Sequence, residues 1–331
     1  TEAHGKMTVK FNSHVKPINA GTVREFSEFV YEANTLDEEA DTFIIDSEEA
    51  LIEFAKVAKA FYPRTLAKVV ANLDMTGKEW TPIDFYGADA IFDGGSAEGY
   101  TIKGLSAPLF NVAVSTIKNV KLTDIDYEIT QGAYSGAIVC QLYDGLVENC
   151  SVEGKVNINN TTLAEAAASY SGVNHGGLVG RAVRSTIKNC TNDIDITITS
   201  LTDPTLNVGC AVGGLVGGVS VNCSIEGLTN NGDITYVGTV KLGNTYIAGI
   251  VGKNDDSNGQ NDFVLFTNCT NNGNISTAKD SASQGEILLS GITGRLEINE
   301  DVVCDKLVNT GDITLNGACT GTRLSGGIGY N

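Results

Sequence analysis

His175-Gly176-Gly177-Leu178-Val179-Gly180, followed by Ser185-Thr186-Ile187-Lys188-Asn189-Cys190-Thr191-Asn192, is the stretch that decides the fold, because it returns along the chain. With Leu178 as anchor, the same order of small, small, aliphatic, aliphatic and small residues appears as Gly213-Gly214-Leu215-Val216-Gly217, Ala248-Gly249-Ile250-Val251-Gly252 and Ser290-Gly291-Ile292-Thr293-Gly294. It closes the chain as Gly326-Gly327-Ile328-Gly329-Tyr330. Backwards from Leu178, Gly136-Ala137-Ile138-Val139-Cys140 fits well and Ala107-Pro108-Leu109-Phe110-Asn111 fits loosely. The anchors Leu109, Ile138, Leu178, Leu215, Ile250, Ile292 and Ile328 are 29, 40, 37, 35, 42 and 36 residues apart. Periods of that size mark a stacked array of short units.

Each unit reads as two or three short strands. Gly176 and Gly180 flank Leu178 at strand spacing, as small residues would in a narrow interior. Further on, Asn192 and Ile196 recur as Asn230 and Ile234, Asn271 and Ile275, and Asn309 and Ile313, with Val152 and Val156 in the earlier unit. Asparagine at one turn of four successive units predicts a ladder in which each amide bonds to the next. Gly154, Gly232, Gly273 and Gly311 precede the next strand, where the spacing suggests a positive φ. Stacked turns rise roughly 4.8 Å each, so about seven coils make a rod roughly 30 Å long. The fold class expected is all-β, a right-handed parallel β-helix with an N-terminal α-helical cap.

Residues 1–45 form an N-terminal segment of unclear fold, in which Met7, Val9 and Phe11 alternate as a strand and Phe26, Phe29 and Val30 suggest a short helical face. Residues 46–105 read as the cap and 106–331 as the repeats. Within the cap, Asp46 as N-cap with Glu49 completing a capping box predicts a helix over 47–62, stopped by Pro63. Leu51, Phe54, Ala55, Ala58 and Phe61 share its apolar face. Val69, Ala71, Leu73 and Met75 alternate as a strand behind it. A bare end of stacked coils invites unwanted pairing, and this helix is placed to cover it.

Composition narrows the function classes. The formal charge is -18 with no basic run, which argues against nucleic acid as a partner. No apolar run approaches the roughly 18 to 20 residues needed to span a bilayer. The sequence begins at Thr1 without a basic-then-apolar leader, so any export signal or lipid anchor is expected to have been removed before residue 1. Of eight cysteines, Cys150, Cys190 and Cys269 occupy one repeat position where Val120, Leu228 and Leu307 stand elsewhere. A position that also accepts aliphatic residues predicts stacked core thiols in place of disulfides or metal ligands.

The Gly-Gly-Leu-Val-Gly core with Ile-x-Asn-Cys-Thr-Asn resembles the GLUG repeat of bacterial cell-surface proteins of the pectin-lyase-like parallel β-helix type. The block before it, with its Ser-Glu-Glu-Ala-Leu helix, Asn72-Leu73-Asp74-Met75 and Trp80-Thr81-Pro82-Ile83, resembles the cap of those proteins. The resemblance covers residues 46–331. It implies export to a bacterial surface, often as an outer-membrane lipoprotein, and an adhesin-like role with a surface glycan or a host or bacterial surface protein as partner. It does not imply oligomeric state.

Candidate sites are few. Tyr134, Tyr170 and Tyr246 all lie shortly before the glycine-rich stretch of their repeats and suggest an apolar platform for sugar rings or a partner protein. The insert holding Asn254, Asp256, Asn258 and Asp262 has oxygen ligands at alternate positions with glycine sixth, like the start of a calcium loop, although the twelfth position is Leu265. Calcium is the one cofactor the sequence suggests. Asp255-Asp256 and Asn174-His175-Gly176 are thin material for a polysaccharide lyase or glycoside hydrolase, the alternative function. Ser115-x-x-Lys118 and Ser185-x-x-Lys188 occupy equivalent repeat positions and so report strand grammar. The sequence expectation is a surface binder without catalysis, with a structural spacer as the third reading.

Overall fold

In the computed structural model of the chain, strand pairing follows the spacing of the anchors. The structure describes residues 36–37, 42–58, 66–162, 173–201, 210–238, 245–254, 264–279, 281–283, 287–296, 302–319 and 322–329. Within one coil the strands are Val173–Gly176, Val179–Val183, Thr186–Lys188 and Thr191–Leu201. Each pairs in parallel with its equivalent one repeat on: Gly176 with Gly213, Val179 with Val216, Ile187 with Ile225 and Asn192 with Asn230. The result is a parallel β-helix whose ladders form a 24-stranded sheet, a six-stranded sheet and a two-stranded pair. The single antiparallel pairing described, Leu36–Asp37 with Thr42–Ile45, stands at its beginning.

The anchors Leu109, Ile138, Leu178, Leu215, Ile250 and Ile292 are all buried in one continuous hydrophobic cluster, with Ile328 packed against it. Burying such a side chain stabilises by roughly 1.5 to 3 kcal/mol. Because each coil lends its apolar residues mainly to its neighbours, stability accumulates along the axis.

Gly176 to Gly180 is not one strand. The chain turns sharply at Gly177 and Leu178, and a Cβ on Gly177 would come 2.1 Å from the Gly214 carbonyl oxygen and 2.4 Å from Asn192 Oδ1. The second glycine of the motif is therefore required by the backbone of the next coil and by the asparagine amide together. Those asparagines form the expected ladder: Asn192 Nδ2 donates to Asn230 Oδ1 at 2.8 Å, Asn230 to Asn271 at 2.7 Å and Asn271 to Asn309 at 2.7 Å. Each amide also donates to the carbonyl two residues ahead in its own coil. Every buried polar group in the column is thus partnered, the condition under which an interior amide stack is stable.

The glycine expectation holds at one position and fails at three. Gly154 has φ 143°, but Gly232, Gly273 and Gly311 are not among the positive-φ residues. They are small because a Cβ on Gly273 would sit 2.0 Å from the Gly232 oxygen, and one on Gly311 the same distance from the Gly273 oxygen. Left-handed backbone belongs instead to the turn before the cysteine row: Asn119, Asn149, Asn189 and Asn268 have φ of 53° to 54°. Asparagine tolerates that region better than most residues. This accounts for the recurring Asn-Cys pair.

The cysteines whose side chains are described, Cys140, Cys150, Cys190, Cys210, Cys223, Cys269 and Cys304, are free. Cys150, Cys190 and Cys269 are buried, each sulfur 3.2 to 3.3 Å from the carbonyl oxygen two residues earlier. Burial pushes the Cys150 thiol well above its ordinary pKa and the Cys269 thiol up to about 11.

At the N-terminal end the helix runs Glu48–Val57, and Ser47 is its N-cap, accepting a hydrogen bond from the Ala50 amide. Asp46 and Glu49 do not form the expected box. Glu49 instead pairs with Lys78 at 2.7 Å, and Glu48 accepts from the Asp74 amide. Leu51, Phe54 and Ala58 are buried as expected; Phe61 and Pro63 lie outside the described residues. Phe54 stacks on Phe43, Phe85 and Phe92 with centroids 5.2 to 5.8 Å apart, and Phe110 continues the cluster in the next coil. This aromatic plug closes the core under the helix. The alternating run behind it is two strands, Leu66–Val69 and Leu73–Asp74. The readings of 7–11 and 26–30 lie outside the described residues.

Candidate functional site

Two repeat positions build a distinctive flank that is half-buried at Tyr134, Gln141, Arg181, Tyr246 and Arg295 and buried at Asn174, Ala211, Gly218, Lys253 and Leu288. Four residues before the anchor stand Tyr134, Asn174, Ala211, Tyr246 and Leu288, which are register partners along the six-stranded sheet. Three residues after the anchor stand Gln141, Arg181, Gly218, Lys253 and Arg295, register partners along the next ladder. The sharp turn at Gly177 folds the first row back onto the second, offset by one coil.

The side chains at these positions fit one another. The Arg181 guanidinium lies over the Tyr134 ring, 5.4 Å from its centroid, and its Nη1 is 3.4 Å from the phenolic oxygen. Two coils after Gly218, Arg295 lies over Tyr246 at 5.9 Å. A guanidinium over an aromatic face is an attractive pairing. Between these pairs, a Cβ on Gly218 would be 2.9 Å from the Asn174 amide, so the amide rests on the bare backbone of Gly218. Tyr134 and Tyr246 are three coil steps apart, roughly 14 Å. All four ring and guanidinium residues are half-buried.

A chain of charge -18 has thus placed Arg181, Lys253 and Arg295 in a single row. Arg184, only three residues from Arg181, forms a two-pronged pair with Asp144 at 2.7 and 2.8 Å. Arg181 has no carboxylate partner among the described residues; its contacts are with Tyr134. Asn174 is fully buried, and neither Nδ2 nor Oδ1 has a hydrogen-bond partner. An orphan buried amide is costly, which makes its position beside the cationic row informative.

The opposite face of the same strand belongs to the interior. Ser135 and His175 are register partners and both are buried, with His175 in the row that continues as Val212 and Ile247. Burial pushes the His175 imidazole down to about 3, so it is neutral at physiological pH.

Of the residues singled out in the sequence, Tyr134 and Tyr246 share a column, while Tyr170 lies outside the described residues. Asn254 ends the strand Val251–Asn254 and is buried; Asp256, Asn258 and Asp262 lie outside the described residues, as does Asp255. Among the described residues no cluster of three metal-ligating side chains occurs. Sequence reasoning passed over Arg181, Lys253 and Arg295, and weighed Asn174 only as part of a catalytic tripeptide. The signal was present, since the basic residues recur at one distance after the anchor.

The family model of the GLUG motif matches residues 131–157 and 171–199, the two repeats that carry Tyr134, Asn174 and Arg181. The chain is a parallel β-helix that carries GLUG motifs. No curated protein matches this chain significantly. Among solved structures, a candidate immunoglobulin A1 protease from Bacteroides ovatus superposes with a TM-score of 0.61 at 18% identity, covering 88% of this chain and 84% of that one. A second, named IgA1 protease, superposes with a TM-score of 0.59 at 19% identity, covering 85% of this chain and 21% of that one. The chain therefore spans about a fifth of that second protein. At these identities the likeness is one of fold. Both neighbours are nevertheless named as proteases, and the expectation of a chain without catalysis does not stand beside them.

Proposed function

We propose that this GLUG β-helix is a recognition element of a protein exported to a bacterial surface, holding a surface glycan or a partner protein against the flank of Tyr134, Arg181, Tyr246 and Arg295. The observation that carries the reading is the pairing of two half-buried tyrosines with two arginines on one column of a rigid rod, a surface the core does not require. Aromatic and arginine side chains are the ones that carry most binding energy at interfaces. A rigid ladder also holds them in place before a ligand arrives, which lowers the entropic cost of binding.

Two facts support the setting. No helix among the described residues is long and apolar enough to cross a membrane. One structural neighbour comes from Bacteroides and both are named as immunoglobulin A1 proteases, which makes a protein substrate one class of partner for the flank.

The test is a glycan array together with capture of surface proteins, comparing the wild-type chain with a Tyr134→Ala/Tyr246→Ala variant of unchanged circular dichroism. Retention by the wild type and a loss of about tenfold or more in the variant is the expected result. Equal retention by both would move the binding surface elsewhere, and no retention by either would favour a spacer. Turnover of an acidic polysaccharide would favour the polysaccharide-active alternative.

A further inference from the structure

The cluster formed by Tyr134, Asn174, Arg181 and Gly218 has a chemistry more specific than a general sticky flank. Its four strands bring together a cation whose contacts among the described residues are all with a tyrosine and a buried amide with neither polar atom partnered. Asn174 is the register neighbour of Tyr134, and Gly218 is the register neighbour of Arg181. The Asn174 amide, resting on Gly218, therefore lies roughly one coil step, about 4.8 Å, along the row from Arg181. A second cationic residue, Lys253, follows Gly218 in that row.

We propose that this cluster is a carboxylate-binding subsite and that its ligand is an acidic sugar. The inference rests on the reading of the flank as a recognition surface and names the ligand class for it. Arginine presents a planar fork of N–H donors that matches a carboxylate. The Asn174 amide, sealed from solvent in the unliganded chain and uncovered only as the ligand enters, adds a further N–H donor and, through its oxygen, an acceptor for a hydroxyl. A sugar acid carries a carboxylate and adjacent hydroxyls on one compact ring, and so uses both halves of the amide. A peptide C-terminus supplies the carboxylate without the hydroxyls, and is commonly captured by backbone N–H groups instead.

Gly218 supplies the internal control. Any side chain there displaces the Asn174 amide, since a Cβ would stand 2.9 Å from it, while leaving Arg181 and its ring contact untouched.

The experiment is calorimetric titration of the full chain with glucuronate, galacturonate and N-acetylneuraminate, with glucose as the neutral control and acetyl-dialanine as the peptide carboxylate. It is run on wild type, Arg181→Gln, Asn174→Leu and Gly218→Ala, each first shown to melt cooperatively. The expected result is saturable binding of at least one sugar acid with glucose silent, and an affinity about tenfold lower in Arg181→Gln and in Gly218→Ala. In wild type the side-chain amide resonance of Asn174 shifts on titration, which a merely structural asparagine would not show. Asn174→Leu fills the same space and removes that shift together with the binding.

Sugar acids that fail to bind, or that bind Arg181→Gln as well as wild type, would overturn the subsite. Tighter binding of acetyl-dialanine would reassign it to peptide termini. Neutral glycans or proteins held through Tyr134 and Tyr246 and indifferent to Arg181→Gln would sink the subsite while sparing the recognition flank. An Asn174 resonance that never moves would leave the amide with a trapped water alone, contradicting the proposal.

Discussion

Asn192 and Gly177 occupy one piece of space: the asparagine amide fills the volume where a Cβ on the glycine would stand, with Oδ1 only 2.4 Å from that point. The same relation recurs between Asn230 and Gly214, Asn271 and Gly249, and Asn309 and Gly291. In the earlier coil the motif reads Gly136-Ala137, and the asparagine position is Val152. Glycine and asparagine are thus two halves of a single packing solution, exchanged together for alanine and valine.

That coupling is measurable. Gly177→Ala alone overpacks the turn and is expected to cost about 1 to 3 kcal/mol. Asn192→Val alone leaves Asn230 Oδ1 without its donor, at a similar cost. The double variant reproduces the residue pair of the preceding coil, so its cost should fall short of the sum by about 1 kcal/mol or more in urea melts. Additivity within about 0.5 kcal/mol would contradict the shared volume.

Asn230 sits inside the ladder, accepting from Asn192 and donating to both Asn271 and Gly232. Asn230→Leu strands a donor on one side and an acceptor on the other, about 1 to 3 kcal/mol for each. It should therefore destabilise more than Asn192→Val, which breaks a single link. The reverse order of melting temperatures would argue against a continuous column.

His175 predicts the acid behaviour. Its folded pKa of about 3 lies below the ordinary 6.5, so across that window the unfolded chain binds a proton that the folded chain does not. The contribution to stability is full above pH 6.5 and is lost as the pH falls towards 3. Val212 and Ile247 fill the same row in later coils. His175→Val should accordingly lose less melting temperature than wild type between pH 7 and 4.5, and an equal loss would place the acid-sensitive group elsewhere.

Thiol reactivity separates core from surface. Cys304 is exposed, whereas Cys150, Cys190 and Cys269 are buried in one row. Because the thiolate is the reacting form, burial suppresses reaction twice over, by access and by raised pKa at Cys150 and Cys269. Peptide mapping after brief alkylation of the native chain should find label on Cys304 and none on the row until denaturant is added. Native labelling of Cys190 would show the row to be open.

The coil architecture was legible because Leu178, Leu215, Ile250 and Ile292 repeat with their glycines, and stacking is the arrangement that buries all of them. The asparagine ladder was legible for the same reason. The helix N-cap was misplaced by one residue, since Asp46 and Ser47 are both good caps and only the backbone decides between them. Gly232, Gly273 and Gly311 were assigned to backbone conformation when the cause is contact between coils, which only the register reveals. The flank was half visible. Tyr134 and Tyr246 stood out as aromatics, but Arg181 and Arg295 gain meaning only when the turn at Gly177 folds one row onto the other.

The placement of recognition on this flank is tested most directly by hydrogen exchange of the chain with and without the ligand recovered from the array. The account predicts slowed exchange in Val173–Gly176, Val179–Val183, Thr245–Ala248 and Thr293–Arg295, the strands that carry Asn174, Arg181, Tyr246 and Arg295. Slowing confined to Leu146–Glu148, Thr186–Lys188 and Cys223–Glu226 would place the ligand on a different side of the rod and contradict it.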